Sequence, residues 1–306
     1  MRSIVLLTLL AAAVLARHAD DELIHNSEMI AKINAMPGVH WRAAASPRFA
    51  GKTWAHGHML LGTELNANGH LPREEAPANL NLPDSYDTRR VFPNCPFHVL
   101  DQQRCGSCWA FAAAEAFADR LCIATNGSFH GDLSPQALVS CDWELNHGCN
   151  GGIPRLAWEW MEWEGLPTLQ CLPYTSGSGD SGKCKKECAN GEPYVTHKVK
   201  TFSVKGFTNE AAIMKAIFEN GPVETGFEVY ADFMTYSSGI YHHVSGSLEG
   251  GHAVKIVGWG VENGVKYWIV QNSWGTSWGE GGYFRMLRGK DECGIEKDTC
   301  AGLPAL

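Results

Sequence analysis

Nine of the chain's eleven cysteines lie between Cys95 and Cys188, and the other two, Cys293 and Cys300, stand close to its end. If they pair, cross-links limit the conformations open to the first half of the body more strictly than any other local signal. Eleven is odd, so at least one thiol is left over. Pairing depends on the compartment, and the N-terminal residues address that. Arg2 precedes an apolar run from Ile4 to Ala16 broken only by Thr8, and Val14-Leu15-Ala16 suits cleavage near Ala16. This pattern predicts a secretory signal over residues 1–16, too short to span a bilayer. It also predicts an oxidising lumen in which cysteines bridge. Asn126-Gly127-Ser128 then becomes an acceptor for an N-linked glycan. No later apolar run approaches a membrane span.

A leader without cysteine separates this signal from the body. Leu23, Ile30 and Ile33 form a helical stripe that predicts a helix over residues 20–34, with Asp20, Asp21 and Glu22 at its positive dipole end. Residues 35–81 are rich in Pro, Gly, Asn and His. The change of texture predicts a removable inhibitory prosegment over 17–81, with the body, 82–306, opening at Leu82-Pro83. The body divides again. Ala-rich Trp109–Thr125, the segment opened by Ser134-Pro135, and Pro154–Glu164 read as helices. Beyond about 195, strands dominate: Ala253–Trp259 and Lys266–Asn272 flank Asn263-Gly264, the dipeptide of a tight hairpin. Tyr283–Leu287 reads as another strand, and one helix, Asn209–Glu219, ends at Asn220-Gly221-Pro222. A helical half followed by a β half is an α+β arrangement. With 44% hydrophobic and 19% charged residues the chain is no disordered polymer. Its 25 Lys and Arg against 33 Asp and Glu, net −8, exclude a general nucleic-acid binder.

The sharpest segment is Gln102-Gln103-Arg104-Cys105-Gly106-Ser107-Cys108-Trp109-Ala110-Phe111. Cys108 falls where a loop turns into the long helix, and free amides and the helix dipole there favour the nucleophilic thiolate. Three readings compete. A Cys105/Cys108 redox pair would want a βαβ context, which is missing. A zinc site would want a second close pair, for which Cys184 and Cys188 are poor in an oxidising lumen. A catalytic cysteine needs a distant histidine and an orienting group.

At these residues the chain resembles the papain-like cysteine proteases. Gln102–Phe111 matches their nucleophile segment, Gly250-Gly251-His252-Ala253-Val254 their histidine segment and Asn272-Ser273-Trp274-Gly275 their asparagine segment. Leu82–Asp87, Cys149-Asn150-Gly151-Gly152, Asn220–Val223 and Gly258–Gly264 look specifically cathepsin B-like. The resemblance implies a two-lobed fold, a helical left lobe and a β-barrel-like right lobe with the site in the cleft between them. It implies that Cys108 attacks, His252 forms its imidazolium partner, Asn272 fixes the tautomer under Trp274, and Gln102 with the Cys108 amide holds the oxyanion. Gln103 and Arg104 depart from the small residues usual in that loop.

The same match implies substrate contacts at Gly151, Gly152, Ile153, Pro154, Gly226, Ala253 and Trp274, with Asp298 at the base of the second subsite. It implies bridges Cys95–Cys122, Cys105–Cys149, Cys141–Cys184 and Cys171–Cys188. Cys293–Cys300 is expected as a fifth, two free thiols being the alternative. Between Cys171 and Cys184 there is no histidine and no further cysteine, only a short Gly/Ser-rich stretch that reads as flexible. The occluding lid of cathepsin B is thus missing, and the expectation is an endopeptidase. A dipeptidyl carboxypeptidase and a non-catalytic binding homologue are the alternatives. His242-His243 reads as a surface pair. No cofactor or metal is expected. The expected partners are protein and peptide substrates, the prosegment as inhibitor and, by resemblance, cystatin-type inhibitors, for a monomer in a lysosome- or vacuole-like compartment or secreted.

Overall fold

The fold is described by a computed structural model covering residues 17–77 and 80–306; the expected signal at 1–16 lies outside the described residues. In chain order the elements are α1 (Ser27–Ala35), β1 (Trp41–Ala43), α2 (Trp54–Met59), β2 (Tyr86–Asp87), α3 (Thr88–Val91), α4 (Cys108–Ala124), α5 (Pro135–Cys141), α6 (Pro154–Trp163), β3 (Lys205–Phe207), α7 (Glu210–Asn220), β4 (Val223–Tyr230), β5 (Tyr236–Tyr241), β6 (Leu248–Glu262), β7 (Val265–Gln271), β8 (Tyr283–Leu287) and β9 (Asp298–Ala301).

Helices therefore precede the main sheet. α4 is the central element, buried at every position from Cys108 to Cys122. Its alanines allow close approach on all sides, and its buried charges find partners. Asp119 pairs with Lys255 of β6, and Arg120 donates to the carbonyls of Pro222, Gly221 and Gly302. Those bonds tie the helical lobe to the sheet, since a buried charge persists only when paired. The sheet runs β1-β5-β8-β7-β6-β4-β9-β3 as an open path, with β2 paired to β6. All pairings are antiparallel except β5–β8. The β6–β7 hairpin turns at Asn263 and Gly264, φ +51° and +80°, the two positive values that its tight turn needs.

The leader is folded onto this body. Its β1 adds to the sheet edge, Trp41 opposite Gly239, and the Trp41 indole donates to the His242 carbonyl. α1 begins at Ser27 rather than at Asp20. The Asn26 side chain accepts from the amides of Glu28 and Met29 and sets the helix start. Leu23, counted in the stripe, instead bridges Thr53 and is exposed.

Bridges join Cys95–Cys122, Cys105–Cys149, Cys141–Cys184 and Cys171–Cys188. Cys293 and Cys300 are both free, which corrects the expected fifth bridge. Their surroundings explain it. Cys293 sits on a left-handed turn (φ +52°), its thiol on Glu292, whereas buried Cys300 lies in β9 opposite Glu224. The Cys171–Cys184 stretch is also not loose. Ser176–Ser178 forms a single turn held by Gln136, whose side chain bonds Thr175, Ser176 and Ser140. Composition misleads there because the anchoring residue comes from α5. His243 is likewise no simple surface residue: it stacks on Tyr230 and its Nδ1 meets the buried Asp232 carboxylate at 3.1 Å. Asn126 is exposed just past α4.

Candidate active site

Cys108 is the first residue of α4, and Ser107 ahead of it makes no side-chain cap. Its loop is fixed from several directions. The Cys105–Cys149 bridge ties it to the Gly151-Gly152 turn, and Tyr174 donates its hydroxyl to the Gln102 carbonyl. Gln103 holds φ +55°, a left-handed value that favours glycine. Its amide donates to Asp101 Oδ1 (2.7 Å), and its carbonyl accepts from Arg48 Nη2 (3.1 Å). The larger residue thus keeps the glycine-like conformation, supported by the Asp101 side chain and by the leader.

His252 comes from β6 and Asn272 from the residue after β7. The ring donates Nε2–H to Asn272 Oδ1 at 2.8 Å, leaving Nδ1 as the lone-pair nitrogen, without a hydrogen-bond partner. The Trp274 ring lies 4.8 Å from the imidazole between centroids and is fully buried. Phe49 of the leader packs edge-on against Trp274. Gln102 is oriented by Ser273, whose hydroxyl donates to Gln102 Oε1 (2.7 Å), so its Nε2–H points into the cleft.

Residues 60–64 occupy that cleft: Leu60 caps α2, and the chain then makes isolated bridges at Gly62 and Thr63. Gln102 Nε2 donates to the Leu60 carbonyl (3.1 Å). Thr63 donates its amide to the Gly251 carbonyl (3.2 Å), and Gly152 donates to the Gly62 carbonyl (2.8 Å). Thr63 Oγ1 lies 3.0 Å from Cys108 Sγ. Both bridges, Gly62 with Gly251 and Thr63 with Gly152, are parallel. Only glycine fits at 62, because a Cβ there would stand 2.1 Å from the Gly106 carbonyl oxygen. Thus covered, both reactive groups are fully buried. Burial pushes the Cys108 thiol up and the His252 imidazole down to about 4, so both are neutral near pH 6.

The sheet register assembles a pocket beside the cleft. Asp298 pairs with Gly226, and Gly226 with Ala253, so three strands present one row. Glycine in the middle opens space that Leu65 of the leader fills, within 2.8 Å of where a Gly226 Cβ would be. Asp298 is buried, and its oxygens accept from the Asn66 amide (2.9 Å) and the Asn68 amide (3.2 Å). Burial raises its carboxyl while these amides offset part of the rise. Ile153 and Pro154 open α6, the Ile153 amide held by Asn146 Oδ1 (2.7 Å). Ile153 also lines a cavity of about 270 Å³ with Gly151 and Gly152. Around the leader residues 60–68 the structure brings together Cys108, Gln102, His252, Asn272, Trp274, Gly151, Gly152, Ile153, Gly226, Ala253 and Asp298, whereas Pro154 is buried at the start of α6 and the disulfide-bonded cysteines and Asn126 lie elsewhere. Sequence reasoning missed Thr63, Leu65, Asn66 and Asn68 as contacts. Asn66 and Asn68 meet a residue about 230 positions away, which leaves no local signal.

Residues 82–303 match the family described as "Papain family cysteine protease". The chain is 38% identical to a "Cathepsin B-like cysteine proteinase" of Schistosoma japonicum, over 97% of this chain and 96% of that one. It is 42% identical to "Cathepsin B-like CP2" of Giardia intestinalis, over 86% and 89%. Among solved structures it is similar to "proCathepsin B S9 from Trypanosoma congolense", with TM-score 0.85 and 33% identity, covering 92% of this chain and 99% of that one.

Proposed function

The chain belongs to the papain family of cysteine proteases, on its cathepsin B-like branch, and on that premise we propose that it is an endopeptidase kept latent by residues 17–81. It is a cysteine peptidase made as a zymogen. The body begins near Leu82 once the leader is gone. The observation that carries latency is the 60–64 segment, which holds the Gln102 donor with a carbonyl and covers Cys108 with Thr63. Its parallel contacts with Gly152 and Gly251 are consistent with a leader running opposite to substrate.

With the leader removed, water reaches the pair and Cys108 and His252 ionise together. The thiolate attacks the scissile carbonyl carbon, and the oxyanion is held by Gln102 Nε2–H and the Cys108 amide. His252 Nδ1–H protonates the leaving amine, and the resulting thioester is hydrolysed by water that gives its proton back to Nδ1. Asn272 keeps Nε2–H occupied throughout, which reserves Nδ1 for the sulfur side. We assign the products to internal cleavage because the 171–184 loop carries no histidine to bind a terminal carboxylate. Its one basic residue, Lys183, lines another cavity with Gln136 and Glu187. Digestion of a long peptide by the activated protein, with product sequencing, tests this: internal cuts come first. Sequential release of carboxy-terminal dipeptides without internal cuts would overturn it.

Asp298 reads the second position before the cut. Once Asn66 and Asn68 leave, a buried carboxylate loses two donors and offers both oxygens to an arginine. Such a charge-assisted contact is worth about 1.5–3 kcal/mol, roughly one to two orders of magnitude in selectivity. Asp298→Ala is expected to slow Arg-Arg substrates by that factor and to leave Phe-Arg substrates nearly unchanged. Equal loss on both would remove Asp298 from the subsite. The destination is the secretory route, to a lysosome- or vacuole-like compartment or the medium. The working form is a monomer open to cystatin-type inhibitors.

A further inference from the structure

Eight of the eleven tryptophans are buried, yet Trp143 is 70% and Trp163 62% exposed. They stand together. Trp143 follows α5, Trp163 ends α6, and with half-buried Trp160 they wall a groove of about 390 Å³ that also includes Glu144, Leu145, Glu164 and Lys186. Exposed indoles cost solvation without a packing return, so such a cluster marks a binding surface. Two observations say what it binds. First, the groove adjoins the substrate cleft: Leu145 lines both it and the cavity formed by Gly151, Gly152 and Ile153. Second, its unpaired charge is a carboxylate, since the neighbouring Lys198 is held on the Trp163 carbonyl. Glu164 is engaged by Lys186 (2.8 Å), whereas Glu144 has no ion-pair partner among the described residues. An indole face beside an unpaired carboxylate favours a cation, by quadrupole and by charge. The leader lines the inner cavity with Leu61–Glu64 but contributes no residue to the outer groove.

We propose that this groove is an exosite for extended substrates, binding a Lys or Arg side chain four or more residues before the cut. The inference rests on the protease reading above. The cavity at Gly152 adjoins the Asp298 pocket through Thr63 of the leader, which bridges Gly152 and stands 3.5 Å from where a Gly226 Cβ would be, so it lies toward the residues ahead of the scissile bond. A polypeptide leaving that cavity past Leu145 at about 3.3 Å per residue runs into the tryptophans.

The test uses activated protein and three fluorogenic peptides with one cleavage sequence: the short core, the core extended upstream by six residues containing lysines, and the same extension containing glutamates. The lysine form is expected to be cut about three- to tenfold more efficiently than the glutamate form, the range of one cation–π contact plus one exposed ion pair. Trp163→Ala combined with Glu144→Gln removes this preference and leaves the short core unchanged. Glu144→Lys reverses its sign. Equal cleavage of the two extensions overturns the exosite, as does a double variant that slows the short core equally. Dimerisation through the same tryptophans, lost on sedimentation of the double variant, would assign the patch to self-association and also overturn it. Should the short core resist cleavage, the protease reading fails instead. The exosite is then judged by Trp fluorescence: the lysine peptide must perturb it and the glutamate peptide must not.

Discussion

Cys108→Ala is expected to lower peptide hydrolysis by about five to six orders of magnitude, the loss typical when the nucleophile of a catalytic unit is removed. Its surroundings explain why no neighbour substitutes. The other free thiols are Cys293, half-buried against Glu292, and Cys300, buried in β9, and burial pushes both thiols up, away from the thiolate form. His252→Ala is expected to cost about as much, and the double variant hardly more, because the two groups act as one ionised pair. Gln102→Ala, which removes one oxyanion donor, costs about 10²–10³. A thiol-reactive epoxide with mass spectrometry gives an independent reading: one label per molecule, on Cys108, after activation. Labelling at Cys293 or Cys300 while Cys108 stays unmodified would sink the assignment.

Full-length protein without the signal is expected to hydrolyse peptides at least about 10³-fold more slowly than protein from which the leader has been cut near Leu82, an occlusion worth about 4 kcal/mol. The same comparison by alkylation of Cys108 reads occlusion directly, without substrate. The pH dependence follows from His56 of the leader, because the Cys108/His252 pair holds one proton in both forms, on sulfur when closed and on the imidazole when open. Burial and the charges of Arg48, Lys52 and Arg104 hold His56 down to about 4 in the closed form, against its ordinary 6.5. The open form therefore binds the proton more tightly, and latency is complete above pH 6.5 and is lost as pH falls toward 4. The shift weakens the leader's grip by up to about two orders of magnitude over that window. Latency that is equal at pH 7 and pH 4.5, or deeper at the lower pH, would contradict this.

Residues whose partners lie within a turn or a hairpin were legible from the sequence. The Asn263-Gly264 turn and the Ser134-Pro135 helix start each follow from backbone preferences of the residues themselves. The spacing of Cys108, His252 and Asn272 was legible through resemblance, since no local rule relates residues 144 and 20 positions apart. Four disulfides came the same way. What composition could not supply was the order of the Gly/Ser-rich 171–184 loop. Its stiffness comes from Gln136 and Ser140 on α5, which bond Ser176 and Ser181. Nor could spacing tell that Cys293 and Cys300, seven residues apart, sit in separate surroundings, because a left-handed turn and a β-strand intervene.

The sequence by itself determined the element types, the cysteine-rich helical half and the set of groups able to do acyl transfer, for those are properties of side chains and short-range backbone preference. Only the tertiary structure decided their state. Register across β9, β4 and β6 places Asp298, Gly226 and Ala253 in one row, and the leader segment at Leu60–Thr63 seals Cys108 and His252 from water. Whether a thiol and an imidazole are charged depends on solvent and on neighbours brought from almost 200 residues away, and that information exists only once the chain has folded.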